Sequence, residues 1–135
     1  MDILIVDESP ALADMLRSLL SHAGHHVRTM TSAQASAEGV APCDACVVDL
    51  DTNRANGSPL LRRLREQGRS PRTVGWTAAD ELWRPTPDAK GFDAFLAKPA
   101  SFAMLLAAIE GRCCPTCAAS IDVEHRHADC RFAGA

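Results

Sequence analysis

The sequence predicts a doubly wound α/β fold, in which helices cover both faces of a five-stranded parallel sheet. Short, continuous apolar runs recur along the chain, which is the pattern of strands that are buried on both faces. Longer segments with apolar residues at helical spacing separate most of these runs, and this alternation is typical of parallel sheets. The length of 135 residues is that of one domain.

The first strand and the first helix have the clearest signals. Residues 3–6 form a continuous apolar run, and Ser9 followed by Pro10 supplies a helix cap and a favourable first helical residue. Apolar residues at helical spacing predict one inward face for this helix, and Gly24 predicts its end. The residues of that predicted face are Leu12, Met15, Leu16, Leu19 and Leu20.

The second strand and helix are weaker. Residues 27–30 predict a strand, and Thr31 or Ser32 would cap a short alanine-rich helix that ends near Gly39. Three more buried strands are predicted at residues 45–48, 73–76 and 92–97.

Two further helices complete the alternation, and one expected helix fits poorly. A helix with three leucines is predicted to end at Gly68, and Ser101 is predicted to cap the last helix. A helix is also expected between the fourth and fifth strands, but that segment contains Pro85 and Pro87. Two prolines cannot both lie inside a regular helix, so we expect a short, displaced or irregular element there.

The composition argues against direct contact with nucleic acid or membranes. The formal net charge is -3, and the basic residues form no long run. The apolar run at residues 3–6 is too short for a signal-peptide core, and that at residues 102–109 is too short to span a bilayer. We therefore expect a cytoplasmic protein, whose six cysteines are thiols or metal ligands rather than disulfides.

Polar residues follow four of the five predicted strands. Asp7 and Glu8 come after the first strand, Asp49 after the third, Thr77 after the fourth and Lys98 after the fifth. Because the carboxyl ends of parallel strands share one edge of the sheet, these side chains should converge there. The first and third strands would be central neighbours, so three carboxylates are expected to meet.

This set of residues suits phosphoryl transfer. Magnesium prefers oxygen ligands, retains some waters, and would relieve the repulsion among the carboxylates. A carboxylate such as Asp49 can attack a phosphoryl group, whose oxygens would then need partners such as the Lys98 ammonium and the Thr77 hydroxyl.

Residues 1–112 resemble the receiver domain of response regulators in two-component systems. The resemblance lies in five segments at matching order and spacing, which are residues 3–10, Val47-Val48-Asp49, Gly57, Trp76-Thr77-Ala78 and Ala97-Lys98-Pro99. It implies a flavodoxin-like sheet with the strand order 2-1-3-4-5. It also implies a single-domain switch that signals through a downstream protein and is not an enzyme in its own right.

The resemblance further implies specific roles at the pocket. Asp49 would accept the phosphoryl group from a histidine kinase or a phosphotransfer protein. Asp7, Glu8 and Asp49 would hold Mg²⁺, together with the main-chain carbonyl of Asp51. The chain departs from the family at two points, because Glu8 stands where Asp is commoner and Asp51 adds an acid near the metal. That extra acid would change the metal affinity or the lifetime of the phosphate.

The resemblance also implies a switch. Thr77 and Lys98 would contact the phosphoryl group, and the Phe95 ring would turn inward as Thr77 moves. The surface that usually meets partners in the family includes the segment with Pro85 and Pro87, so the mode of dimerisation stays open.

Two other functions are compatible with the sequence. A degenerate receiver would keep the fold and act as a phosphorylation-independent docking module. A haloacid-dehalogenase-type phosphatase is suggested by Asp49-Leu50-Asp51, which is similar to the DxD motif of that family, although there the motif usually lies near the N-terminus.

Residues 113–135 form a separate Cys/His-rich tail. Cys114, Cys117, His125 and Cys130 supply four ligands of the kind that hold structural zinc, and bound metal could supply folding free energy to so polar a segment. The alternative is a flexible tail with reduced thiols.

Overall fold

Five parallel strands form one sheet in the order β2-β1-β3-β4-β5 in the computed structural model, which describes residues 1–51, 57–66, 71–78, 92–98 and 101–111. The strands are β1 (Asp2–Val6), β2 (His26–Met30), β3 (Ala45–Asp49), β4 (Arg72–Thr77) and β5 (Ala94–Ala97). The predicted fold and strand order are therefore confirmed.

Helices cover both faces of this sheet. They are α1 (Pro10–His22), α2 (Ser32–Glu38), α3 (Gly57–Glu66) and α4 (Phe102–Glu110) among the described residues. Alternate residues of β1 point to opposite faces, so Ile3 and Ile5 pack with α1 and α4, whereas Leu4 and Val6 pack with α2 and α3. This double burial explains why the central strands are continuous apolar runs.

The predicted inward face of α1 was too wide. Leu16 and Leu20 are buried, but Met15 is 50% exposed and Leu19 is 41% exposed. Successive helical residues are separated by about 100°. Met15 and Leu19 each precede a buried leucine by one residue, so they lie about 100° away from it around the helix and remain exposed to solvent.

A reciprocal cap fixes the start of α2. The Thr31 side chain accepts a hydrogen bond from the Gln34 N–H at 3.1 Å, and Gln34 Oε1 accepts one from the Thr31 N–H at 2.8 Å. Ser9 and Ser101 cap α1 and α4 with their side chains, as predicted.

Replacing Thr31 with alanine is expected to lower the free energy of unfolding by about 1 kcal/mol, because the Gln34 N–H loses its acceptor. Urea unfolding followed by circular dichroism measures this loss. Thr31→Ser is the matched control, since it retains the accepting oxygen. Equal midpoints for the alanine and serine variants would contradict the assigned cap.

Several predicted features lie outside the described residues. They are the irregular segment with Pro85 and Pro87, the helix end at Gly68 and the tail from residue 113 onward. Within the described ranges, no helix combines the length and the apolar character that are needed to cross a bilayer.

Candidate functional site

Strand register brings the predicted site residues to one edge of the sheet. Asp7 directly follows β1, Asp49 ends β3, Thr77 ends β4 and Lys98 directly follows β5. Asp49 is paired in register with Trp76, the neighbour of Thr77. The polar groups converge because the strands are parallel and their carboxyl ends lie at the same edge of the sheet.

Asp7 is the most deeply buried acid of the site, with 4% of its surface exposed. Its Oδ1 accepts a hydrogen bond from the Ser9 N–H at 2.7 Å, whereas its buried Oδ2 has no hydrogen-bond partner among the residues that the structure describes. Burial raises the pKa of Asp7, and the nearby Asp49 carboxylate raises it further, against the opposing effects of the Ser9 N–H and Lys98.

The Glu8 carboxylate contacts a different element. Its Oε1 accepts hydrogen bonds from the Ser32 N–H, at 2.7 Å, and from the Ser32 hydroxyl. Ser32 is the first residue of α2, so Glu8 links the end of β1 to that helix. The structure thus brings Asp7 and Asp49 together and directs Glu8 to Ser32. No three metal-ligating side chains converge within the part of the chain that the structure describes.

Lys98 contacts two acids at the carboxyl end of β3. Its Nζ lies 2.9 Å from Asp49 Oδ1 and 3.0 Å from Asp51 Oδ2. It also lies 4.9 Å from the centroid of the Trp76 ring. Burial alone would lower the pKa of Lys98, but its hydrogen bonds and charge interactions with the two acids outweigh burial and raise it.

The sequence predicts that Asp51 adds an acid near the metal, but it does not predict the contacts of the Asp51 side chain. Its carboxylate accepts hydrogen bonds from the Thr77 hydroxyl and from the Ala78 N–H. Burial would raise the pKa of Asp51, but the bonds from Thr77, Lys98 and Ala78 together lower it. The only signal in the sequence was the additional acid itself, two residues after Asp49.

Other predicted residues lie outside what the structure describes. Phe95 belongs to β5, but its side chain is not described, so its role in a switch stays a prediction. The same holds for the tail residues predicted to bind zinc, which are Cys114, Cys117, His125 and Cys130.

The fold and the pocket define a class of protein, a doubly wound α/β domain with acids and a lysine at the carboxyl edge of its sheet. The sequence model of the response regulator receiver domain family matches residues 3–110 of this chain. The chain belongs to this family, whose members are generally signalling modules of two-component systems rather than enzymes.

Curated relatives share this part of the sequence. The transcriptional regulatory protein TrcR of Mycobacterium tuberculosis is 32% identical over 113 residues, which are 81% of this chain and 44% of that protein. The transcriptional regulatory protein QseB of Escherichia coli O157:H7 is 29% identical over 113 residues, which are 82% of this chain and 52% of that protein. The chain spans about half the length of these relatives.

Solved structures share the fold. The response regulator TrrA from Thermotoga maritima, in complex with Mg²⁺ and BeF, has a TM-score of 0.70 at 19% identity, over 82% of this chain and 96% of that one. The chemotaxis response regulator CheY4 of Vibrio cholerae has a TM-score of 0.68 at 23% identity, over 82% of this chain and 96% of that one.

Proposed function

We propose that this receiver domain accepts a phosphoryl group on Asp49 and uses it as a reversible signal. The observation that carries the proposal is the position of the Asp49 carboxylate. Its side chain is 5% exposed and lies 2.9 Å from the Lys98 ammonium, and its charge raises the pKa of the nearby, buried Asp7. An acceptor of a phosphoryl group needs this combination of a nucleophilic oxygen and a nearby cation.

The chemistry of the pocket fits a bound Mg²⁺. Asp7 Oδ2 is a buried acid oxygen without a hydrogen-bond partner in the described part of the chain, and a cation would supply the missing interaction. Asp7 and Asp49 are the side chains that would hold the ion, with the Asp51 main-chain carbonyl and Glu8 implied by the family resemblance. When bound, Mg²⁺ neutralises negative charge that develops on phosphoryl oxygens. The receiver TrrA is a solved example with Mg²⁺ and BeF.

The transfer is a displacement at phosphorus. An Asp49 carboxylate oxygen forms a bond to the phosphorus, and the bond from phosphorus to the donor atom breaks. The donor atom, a histidine nitrogen or the acetate oxygen of acetyl phosphate, leaves with the electron pair. The Lys98 ammonium and the Thr77 hydroxyl are the groups of this chain that would stabilise the charge on the phosphoryl oxygens.

The family match supports a proposal about the partners. We infer that a histidine kinase or a phosphotransfer protein supplies the phosphoryl group and that a downstream protein reads the result. Two matched relatives are named transcriptional regulatory proteins. A transcriptional output, direct or through a partner, is therefore part of this proposal.

Incubation with acetyl phosphate and Mg²⁺, followed by intact-mass measurement, tests the proposal. We expect one added phosphoryl group on the wild-type protein and none on Asp49→Asn, which has nearly the same shape but a poorer nucleophile. Reduction with borohydride should convert residue 49 to homoserine, which peptide mapping would detect.

Two outcomes would contradict phosphorylation at Asp49. An adduct that persists in Asp49→Asn would place the acceptor elsewhere. A wild-type protein without an adduct would favour the phosphorylation-independent docking module. The family match already favours a receiver over a haloacid-dehalogenase-type phosphatase.

A further inference from the structure

The Asp51 carboxylate is bonded to three donors at the pocket. The Thr77 hydroxyl donates to its Oδ1 over 2.5 Å, and the Ala78 N–H lies 3.0 and 3.1 Å from its two oxygens. The Lys98 ammonium donates to its Oδ2 over 3.0 Å. A hydroxyl, a main-chain N–H and an ammonium thus surround one anionic group, and charge-assisted bonds of this kind are stronger than neutral ones.

The same donors lie beside the proposed phosphoryl acceptor. Lys98 Nζ bonds to Asp49 Oδ1 as well as to Asp51, and the Asp51 N–H donates to Asp49 Oδ1 at 3.1 Å. Thr77 ends the strand adjacent to the one that Asp49 ends. A phosphoryl group on Asp49 would place anionic oxygens within this cluster, where the Asp51 carboxylate already satisfies the donors.

The carboxylate and a phosphoryl group would compete for the same positive and hydrogen-bonding groups. Both are anions with several acceptor oxygens, and two anions at short distance repel each other. The Thr77 side chain is completely buried, so water does not readily replace a partner that its hydroxyl loses. A hydroxyl has one hydrogen to donate, so the Asp51 carboxylate must release the Thr77 hydroxyl before that hydroxyl can donate to a phosphoryl oxygen.

We propose that the Asp51 carboxylate is an internal occupant of the subsite for phosphoryl oxygens, which a phosphoryl group on Asp49 must displace. This inference rests on the proposed function of Asp49. It makes Asp51 a positioning residue, since it holds Thr77 and Lys98 beside the acceptor before the reaction. It also makes phosphorylation less favourable than in a receiver with a neutral residue at this position.

Beryllofluoride, an analogue of the phosphoryl group, tests the inference in the full chain with Mg²⁺ present. Its affinity can be titrated by the fluorescence of Trp76, whose ring lies beside Lys98. A Trp83→Phe background removes the other tryptophan of the sequence.

Replacing Asp51 with asparagine is expected to tighten beryllofluoride binding about tenfold, and Asp51→Ala somewhat more, because a charge-assisted competitor is removed. Asparagine retains the shape and one acceptor oxygen, so it guards against a variant that simply fails to fold. Asp44→Asn is the matched control, since Asp44 is an acid at the opposite end of β3 that accepts a bond from the Asp2 N–H. It should leave the affinity unchanged.

A second readout reports the contact itself. The Ala78 amide resonance should shift in Asp51→Ala without beryllofluoride, and should return toward a hydrogen-bonded position when beryllofluoride is added. An affinity that is unchanged or weaker in both Asp51 variants would overturn the inference while leaving the function of Asp49 intact. A wild-type chain that binds no more beryllofluoride than Asp49→Asn would overturn the proposed function and this inference with it.

Discussion

Replacing Lys98 with methionine is expected to lower the free energy of unfolding by about 2–3 kcal/mol, because removing one partner of a buried ion pair leaves the other charge uncompensated. The Asp49 side chain is 5% exposed and Lys98 is 20% exposed, so water compensates the lost cation only in part. Methionine retains most of the apolar stem of the lysine side chain, so the loss of the ammonium charge is the main change. Urea unfolding at neutral pH without Mg²⁺ measures the effect.

A double-mutant cycle separates the ion pair from lost packing. Adding Asp49→Asn to Lys98→Met removes the buried charge that had lost its partner, and about 1 kcal/mol or more of stability should return. Asp49→Asn alone removes an acid that also lies beside Asp7. If the effects of the two substitutions on the free energy of unfolding are additive, the ion pair does not determine the stability of this edge of the sheet.

The strand pattern and the strand ends were predictable from sequence for one physical reason. A parallel strand buried on both faces must be continuously apolar, and the first polar residue after it then lies at the common edge. This argument located Asp7, Asp49, Thr77 and Lys98 at the pocket without any knowledge of their side-chain contacts. The starts of α1 and α4 were equally predictable, because the caps formed by Ser9 and Ser101 depend on residues within one turn.

The contacts of two acids were not predictable because their partners come from other elements. Glu8 bonds to Ser32, which is 24 residues away, and Asp51 bonds to Thr77, which is 26 residues away. The local backbone allows several rotamers of each acid, and hydrogen-bond donors on distant segments determine which rotamer is adopted. Sequence could therefore place the acids at the edge but could not assign the group to which each is bonded.

Asp7→Asn is expected to change stability in opposite directions with and without Mg²⁺. Without the metal, the variant should be more stable than the wild type by about 1–2 kcal/mol, because it removes a buried charge that lies beside Asp49. Its amide oxygen can still accept the bond from the Ser9 N–H, which the wild-type Oδ1 accepts at 2.7 Å. Thermal and urea unfolding in EDTA measure this gain.

With Mg²⁺ the order should reverse. A ligand at one hundred times its Kd stabilises a folded protein by about 2.7 kcal/mol, and the wild type should gain an amount of this order at saturation. Asp7→Asn should gain little, because an amide oxygen is a weaker ligand for Mg²⁺ than the Asp7 carboxylate. Asp14→Asn is the matched control, since Asp14 is an exposed acid on α1, and it should respond to Mg²⁺ as the wild type does. An Asp7→Asn protein with the full Mg²⁺ response would show that the buried Asp7 oxygen is not a metal ligand. In that case the partner of this oxygen would be a water molecule or the Asp49 carboxyl group.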